Sequence, residues 1–301
     1  MSEASWSNYW QGRDSDKTGA LTGVESDRDL QRHWAAILSK GSRDAPFLDL
    51  ACGAGTVLKQ AHSLSYTDLT GLDISPEAIG VLESAIPSVK TVVASAAQTG
   101  LPDAGFATIV SQFGIEYAGV EAGLIEAARL CRDSGHIETV MHMSGGAIEA
   151  EVRGHAKHCE VLLASGFIER SAALFQAAYS GNTAKQAELS NNLIPAREQV
   201  SALVKPGERS LAVHLLQGTA QLWDRRASYT EDDITGWLDG MKVEIEAYKA
   251  RMDSMISAAL TDTELKRCVS MLENRGFTVE TKSLSLSGAD AAWVLSASKR
   301  G

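Results

Sequence analysis

Two carboxylates, Asp49 and Asp73, and two glycines, Gly53 and Gly55, form the group of residues whose types and spacing carry chemistry. The run at 47–55, Phe-Leu-Asp-Leu-Ala-Cys-Gly-Ala-Gly, is an apolar strand leading straight into a tight glycine turn. Such a turn lets the backbone approach a ligand where any Cβ would collide, at the carboxyl edge of an α/β sheet. Asp73 closes the next apolar run about twenty residues on, where an acid suits the two hydroxyls of a ribose. The chemistry is that of an adenosine-containing cofactor. A buried carboxylate at a strand end is costly without a hydrogen-bond donor, so Asp73 calls for one, such as a ribose hydroxyl.

These residues need elements to hold them. The pattern predicts strands over 47–51, 67–73, 90–94, 106–111 and 136–142, alternating with helices, as in βαβ units with a parallel sheet. Ala107-Thr108-Ile109-Val110 shows how little polarity the strands carry, as a parallel strand buried on both faces requires. Ser75 before Pro76 is a strong helix start. An amphipathic helix is expected over 29–38, within an N-terminal segment, 1–45, that carries Trp6, Tyr9 and Trp10 and is expected to act as a lid.

The alternation breaks at Ser144-Gly145-Gly146, and only helical periodicity follows to about 260. One long helix is expected over 230–259, with Thr230 and Asp233 resembling a capping box. A helix at 261–275 and two strands, 277–286 and 291–298, complete the chain. The last two are close enough to form an antiparallel hairpin across 287–290. The expected organisation is an N-terminal lid, 1–45, an α/β core, 46–143 with 261–301, and a helical insertion, 144–260.

Four motifs in this order resemble the class I S-adenosylmethionine-dependent methyltransferases, over 47–142 and 261–299. The first is the glycine loop, with Ala51 where the family's first glycine stands. The second is Gly71-Leu72-Asp73-Ile74-Ser75-Pro76, and the third Leu101-Pro102-Asp103-Ala104-Gly105-Phe106 running into the strand at 106–111. The fourth is Glu126-Ala127-Ala128-Arg129-Leu130-Cys131 with the turn before the strand at 136–142. The chain departs from the family at Ala97 and Ala107, where acids are usual. A nicotinamide enzyme would show a third glycine inside the following helix, and none occurs.

The resemblance implies a Rossmann-like seven-stranded sheet with an all-helical insertion before the terminal helix and hairpin. It also implies S-adenosyl-L-methionine as cofactor. The implied cofactor contacts are Asp49, Ala51, Gly53, Gly55, Asp73, Ile74 packing on adenine, backbone groups at Ala96 and Ala97, and Gln112, with Tyr9 of the N-terminal segment near the sulfonium. Glu116 and Tyr117 are placed to face the acceptor. His142, at the end of the strand at 136–142, is the one candidate base. Transfer from a sulfonium needs chiefly in-line positioning, so a base is optional.

The acceptor is expected to be a small molecule, methylated at O, N, S or C, with the helical insertion forming its pocket. A catalytically inactive cofactor-binding regulator and a protein or peptide methyltransferase are the alternatives. A net charge of −10 and the absence of a Lys/Arg run argue against nucleic acid. Four scattered cysteines suggest neither zinc nor disulfides. His155 and His158 share a helix face beside Cys159, but no fourth ligand accompanies them, so no metal is expected. The first residues lack a signal-peptide pattern, and no window approaches a membrane span. A cytoplasmic protein is expected, and a homodimer is possible.

Overall fold

The computed structural model describes residues 24–205, 207 and 209–300. Helix α1, Val24–Leu38, precedes an alternating series: β1, Phe47–Leu50; α2, Thr56–Ser63; β2, Leu69–Asp73; α3, Pro76–Ala85; and β3, Lys90–Val93. It continues with β4, Phe106–Gln112, a short 3₁₀ turn at Ile115–Ala118, α4, Val120–Leu130, and β5, Cys131–His142. Five helices follow: α5, Ala147–Ala164; α6, Phe167–Tyr179; α7, Thr183–Ser201; α8, Leu211–Asp224; and α9, Glu231–Ala258. Helix α10, Asp262–Glu273, and the hairpin β6, Phe277–Leu286, and β7, Ala289–Lys299, end the described chain.

The seven strands form one sheet in the order β3-β2-β1-β4-β5-β7-β6. β3 through β5 are parallel, and β7 lies antiparallel to both β5 and β6. The order reverses between β1 and β4, the switch point at which open α/β sheets receive ligands. β1 and β2 are buried along their whole length, as their apolar runs require, whereas edge strand β3 is half exposed. Leu48, Leu50, Ile109, Ile137 and Met141 from the strands share one core with Leu124 of α4 and Leu265 and Leu272 of α10.

Local signals set the helix starts. The Ser75 hydroxyl accepts from Ala78 N–H with Pro76 next, and Thr261 with Glu264 forms a full capping box that starts α10. Asp233 closes the same reciprocal pair with Thr230. Two boundaries differ from the sequence expectation. β5 begins at Cys131 rather than 136, because its pairing with β4 continues through an irregularity between Phe106 and Thr108. The hairpin loop is only Ser287-Gly288, both with positive φ, the conformation that matches the twist of paired strands.

By internal contacts the chain forms two compact units: Val152–Asp253, and the residues on either side of it. Helix α1 belongs to the sheet-containing unit, and Trp34 on it is buried. In the helical unit, Phe167, Phe175, Val200, Leu215, Ile234 and Leu238 are buried in a core of their own. No helix among the described residues is long and apolar enough to cross a membrane.

The loop into β4 is clamped to α4 by charge. Glu126 accepts from Thr99 N–H at 2.9 Å and from Arg129 Nε at 2.8 Å, while Arg129 donates to Leu101 O at 2.8 Å and pairs with Asp103. The Arg129 guanidinium holds the Glu126 carboxyl at about 2. A depressed folded value means the contribution is present above the unfolded value of 4.5 and is lost as pH falls toward 2. Glu126→Gln should therefore cost about 1 kcal/mol at pH 7. The gap between the variant's and the wild-type urea midpoint should close as pH drops from about 4.5 toward 2.

Candidate active site

The loop after β1 is held in left-handed backbone conformation at Ala51 (φ 55°), Gly53 (φ 52°) and Gly55 (φ 79°). A Cβ at Gly55 would also collide with the Leu82 side chain, so glycine is required there twice over. Ala51 has no such freedom and costs about 1 kcal/mol in that conformation. What holds the loop is Asp73 at the end of β2. Its Oδ2 accepts from Gly53 N–H at 2.8 Å, and its Oδ1 accepts from Ser75 N–H at 2.9 Å.

These two amides satisfy the carboxylate that the sequence had left calling for an external donor, so the burial argument alone does not require a ribose at Asp73. The Ile74 backbone N–H acts on the same carboxylate and also favours its charged form. Burial raises the Asp73 carboxyl above its usual value despite these bonds. Asp49, on β1, is buried as well, and its Oδ1 has no hydrogen-bond partner among the described residues. Burial, and then the charge of Asp73, push its carboxyl well above the usual range. The Cys52 thiol between them is pushed up in the same way and stays protonated.

β4 delivers the next group. The buried Ser111 hydroxyl donates to Leu50 O at 2.7 Å and accepts from Ile115 N–H at 3.0 Å, joining the ends of β1 and β4 to the 3₁₀ turn. A Cβ on Gly114 would lie 2.7 Å from both Cβ and O of Ala51, so this turn packs directly on the glycine loop. Gln112 turns its amide oxygen to the Trp34 indole N–H at 2.5 Å. That leaves its NH₂ group as the donor for a ligand.

At the end of β5, His142 and Glu116 meet. Glu116 Oε1 lies 2.7 Å from His142 Nδ1 and accepts from the His142 backbone N–H at 3.1 Å. The Glu116 side chain is wholly buried, with Oε1 on the imidazole and Oε2 without a hydrogen-bond partner among the described residues. A carboxylate on Nδ1 fixes the tautomer with Nε2 as the basic nitrogen. The rings of Phe113 and Tyr117 flank the imidazole at 4.6 and 5.8 Å. Leu260, on the return from the helical unit, donates to His142 O at 2.8 Å, and the Trp293 indole donates to Leu260 O at 2.9 Å. His142 is thus fixed at side chain, N–H and carbonyl.

Residues 47–135 match the family described as a methyltransferase domain. A class I methyltransferase domain is present. A demethylmenaquinone methyltransferase of Chlorobaculum tepidum is 22% identical over 114 residues, 35% of this chain and 47% of that protein. The match thus spans about half the length of that curated relative. The structure of a geranyl diphosphate methyltransferase with geranyl diphosphate and sinefungin shares the fold at a TM-score of 0.51 and 10% identity, over 99% of this chain and 98% of that one. A magnesium protoporphyrin IX methyltransferase from Synechocystis PCC 6803 aligns at a TM-score of 0.49 and 10% identity, over 99% of each.

Within the methyltransferase domain, Asp49 on β1, Ala51, Gly53 and Gly55 in the loop after it, and Asp73 at the end of β2 lie together, with Ile74 half-buried. Ala96 is buried, and Ala97 donates its N–H to Ser95 Oγ at 3.3 Å, in a tight turn that leaves Gln98 exposed. Tyr9, with Trp6 and Trp10, lies outside the described residues. The sequence argument missed Trp34, Ser111 and Gly114. Only Gly114, directly after an aromatic at a strand end, carried a local signal. Gly114→Ala, whose methyl meets the Ala51 backbone, should destabilise the protein by about 1–3 kcal/mol, read from the urea midpoint.

Proposed function

We propose that this chain transfers a methyl group from S-adenosylmethionine to a small organic acceptor. The observation that carries the proposal is the pair of buried acids at the glycine loop, with Asp49 Oδ1 unpartnered among the described residues. A buried carboxylate without a donor is a cost that a cationic ligand removes. S-adenosylmethionine brings an ammonium, a sulfonium and a ribose diol, which suit Asp49 and Asp73. When bound, the cofactor supplies an electrophilic methyl group.

The chain's residues then bind, orient and move a proton. Gln112 offers its NH₂ group, and the left-handed loop brings backbone rather than side chains toward the ligand. His142 Nε2, its tautomer set by Glu116, takes the proton from an acceptor hydroxyl or amine. The inactive-regulator alternative drew on the missing acids at Ala97 and Ala107 and on the lack of an obvious base; the Glu116–His142 contact supports the catalytic reading over it. The relative from C. tepidum is named for a quinone precursor and the fold neighbour for geranyl diphosphate, both small organic acceptors, which supports the same class here. The net charge of −10 weighs against a polyanion.

Two measurements test the proposal. Asp49→Asn should weaken S-adenosylmethionine binding by about tenfold in calorimetry, a lost charge-assisted contact. It should also stabilise the ligand-free protein by about 1 kcal/mol, because a buried charge is removed. Unchanged affinity would overturn the site. Asp73 is less useful here, since its loss also unties the loop.

With a labelled methyl donor and a panel of small acceptors, His142→Gln should lower kcat by about 10²-fold while leaving cofactor affinity alone. Glu116→Gln should lower kcat less and shift its pH profile. Full turnover by His142→Gln would remove the base.

A further inference from the structure

We infer that the helical unit carries its own binding site for an amphipathic organic anion. Between α5, α8 and α9 lies a cavity of about 580 Å³, within the usual range for small-molecule sites. Cys159, Leu162 and Ala212, all buried, line its floor. Leu203 and Leu211 add to this apolar wall, so the floor suits a hydrocarbon or aromatic body.

The mouth differs in character. Arg209, His155, His158 and His214 line it, three of the chain's seven histidines beside an arginine, against one acid, Glu244. Such a cluster stands out in a protein of net charge −10. Arg209 and Ser210 also stand at the start of α8, where Ser210 caps the helix by accepting from Val213 N–H. The positive end of the α8 dipole therefore opens beside the Arg209 guanidinium, and the two effects add for an anion.

The histidines are held in a cluster of rings. His155 stacks edge-on to Tyr248 at 6.0 Å and lies 6.5 Å from His158. His214 packs edge-on against Trp237 at 5.9 Å. Ring packing holds the imidazoles beside the cavity, and no group of three or more potential metal ligands occurs among the described residues. The Arg209 guanidinium, the imidazoles beside it, the apolar floor and the helix start together select a ligand with a hydrocarbon body and one carboxylate, sulfonate or phosphate head. Nothing in this inference depends on methyl transfer.

The test uses two probes on the full chain: 8-anilinonaphthalene-1-sulfonate and its uncharged relative N-phenyl-1-naphthylamine. Wild-type protein should bind one equivalent of the sulfonate saturably. The double variant Arg209→Gln/His158→Gln should raise its Kd by about tenfold, the size of one charged hydrogen bond. The uncharged probe should change by less than about twofold. Ala212→Phe should abolish binding of both probes by filling the floor. Unchanged sulfonate affinity in the double variant would overturn the inference, as would equal losses for both probes. Should Ala212→Phe fail to fold, the double variant decides alone, because Arg209 is exposed and His158 only half-buried.

Discussion

The hydrogen bonds from Gly53 and Ser75 N–H to the Asp73 carboxylate are what the rest of the site depends on. β1 and β2 are buried parallel neighbours held in register by their backbones, and that pairing alone does not set the path of the loop leaving β1. One carboxylate does so by accepting from the loop of the first strand and the helix start of the second. Three left-handed residues between Ala51 and Gly55 become tolerable because that bond over-determines the loop. Gly114 then rests on Ala51, and the β4 turn inherits its position from the same contact.

The protein's carboxylates fall into two groups. Half-buried Glu126 and buried Glu138 are held at about 2 by hydrogen-bond donors, although Glu138 Oε1 makes no hydrogen bond among the described residues. Burial works against the charge of Glu138, yet His136 at 3.2 Å and Ser296 at 2.5 Å bond to it. His33 Nε2 on α1 comes within 3.2 Å of Glu138 Oε1. These acids fasten elements together. Asp49 and Asp73 are pushed the other way, and Asp49 has an oxygen that no described residue serves.

The end of β5 shows a second constraint. The chain leaves the sheet after His142 and returns at Leu260, and these two points are hydrogen-bonded to each other, with Met143 and Leu260 paired as a parallel bridge. A long helical excursion closed at its base costs the sheet little, since loop-closure entropy grows only slowly with length. It keeps the imidazole in place through Leu260 and Trp293.

Much of this was legible in the sequence. The glycine loop, Asp73, the Ser75-Pro76 helix start and the Thr230–Asp233 box are local signals, where a residue's neighbours in the chain are also its neighbours in space. The succession of strands and helices and the terminal hairpin followed from the alternation of elements together with the family resemblance, whereas the order of strands across the sheet came from the tertiary structure. What only the tertiary structure decided are the pairings across the chain: Glu116 with His142, Trp34 with Gln112, Leu260 with His142, and the cavity among α5, α8 and α9. Glu116 reads in the sequence as a polar residue near a strand end, equally suited to a ligand or a neighbour. A hydrogen bond depends on where a second group arrives after folding, and spacing along the chain carries no record of a partner 26 or 78 residues away.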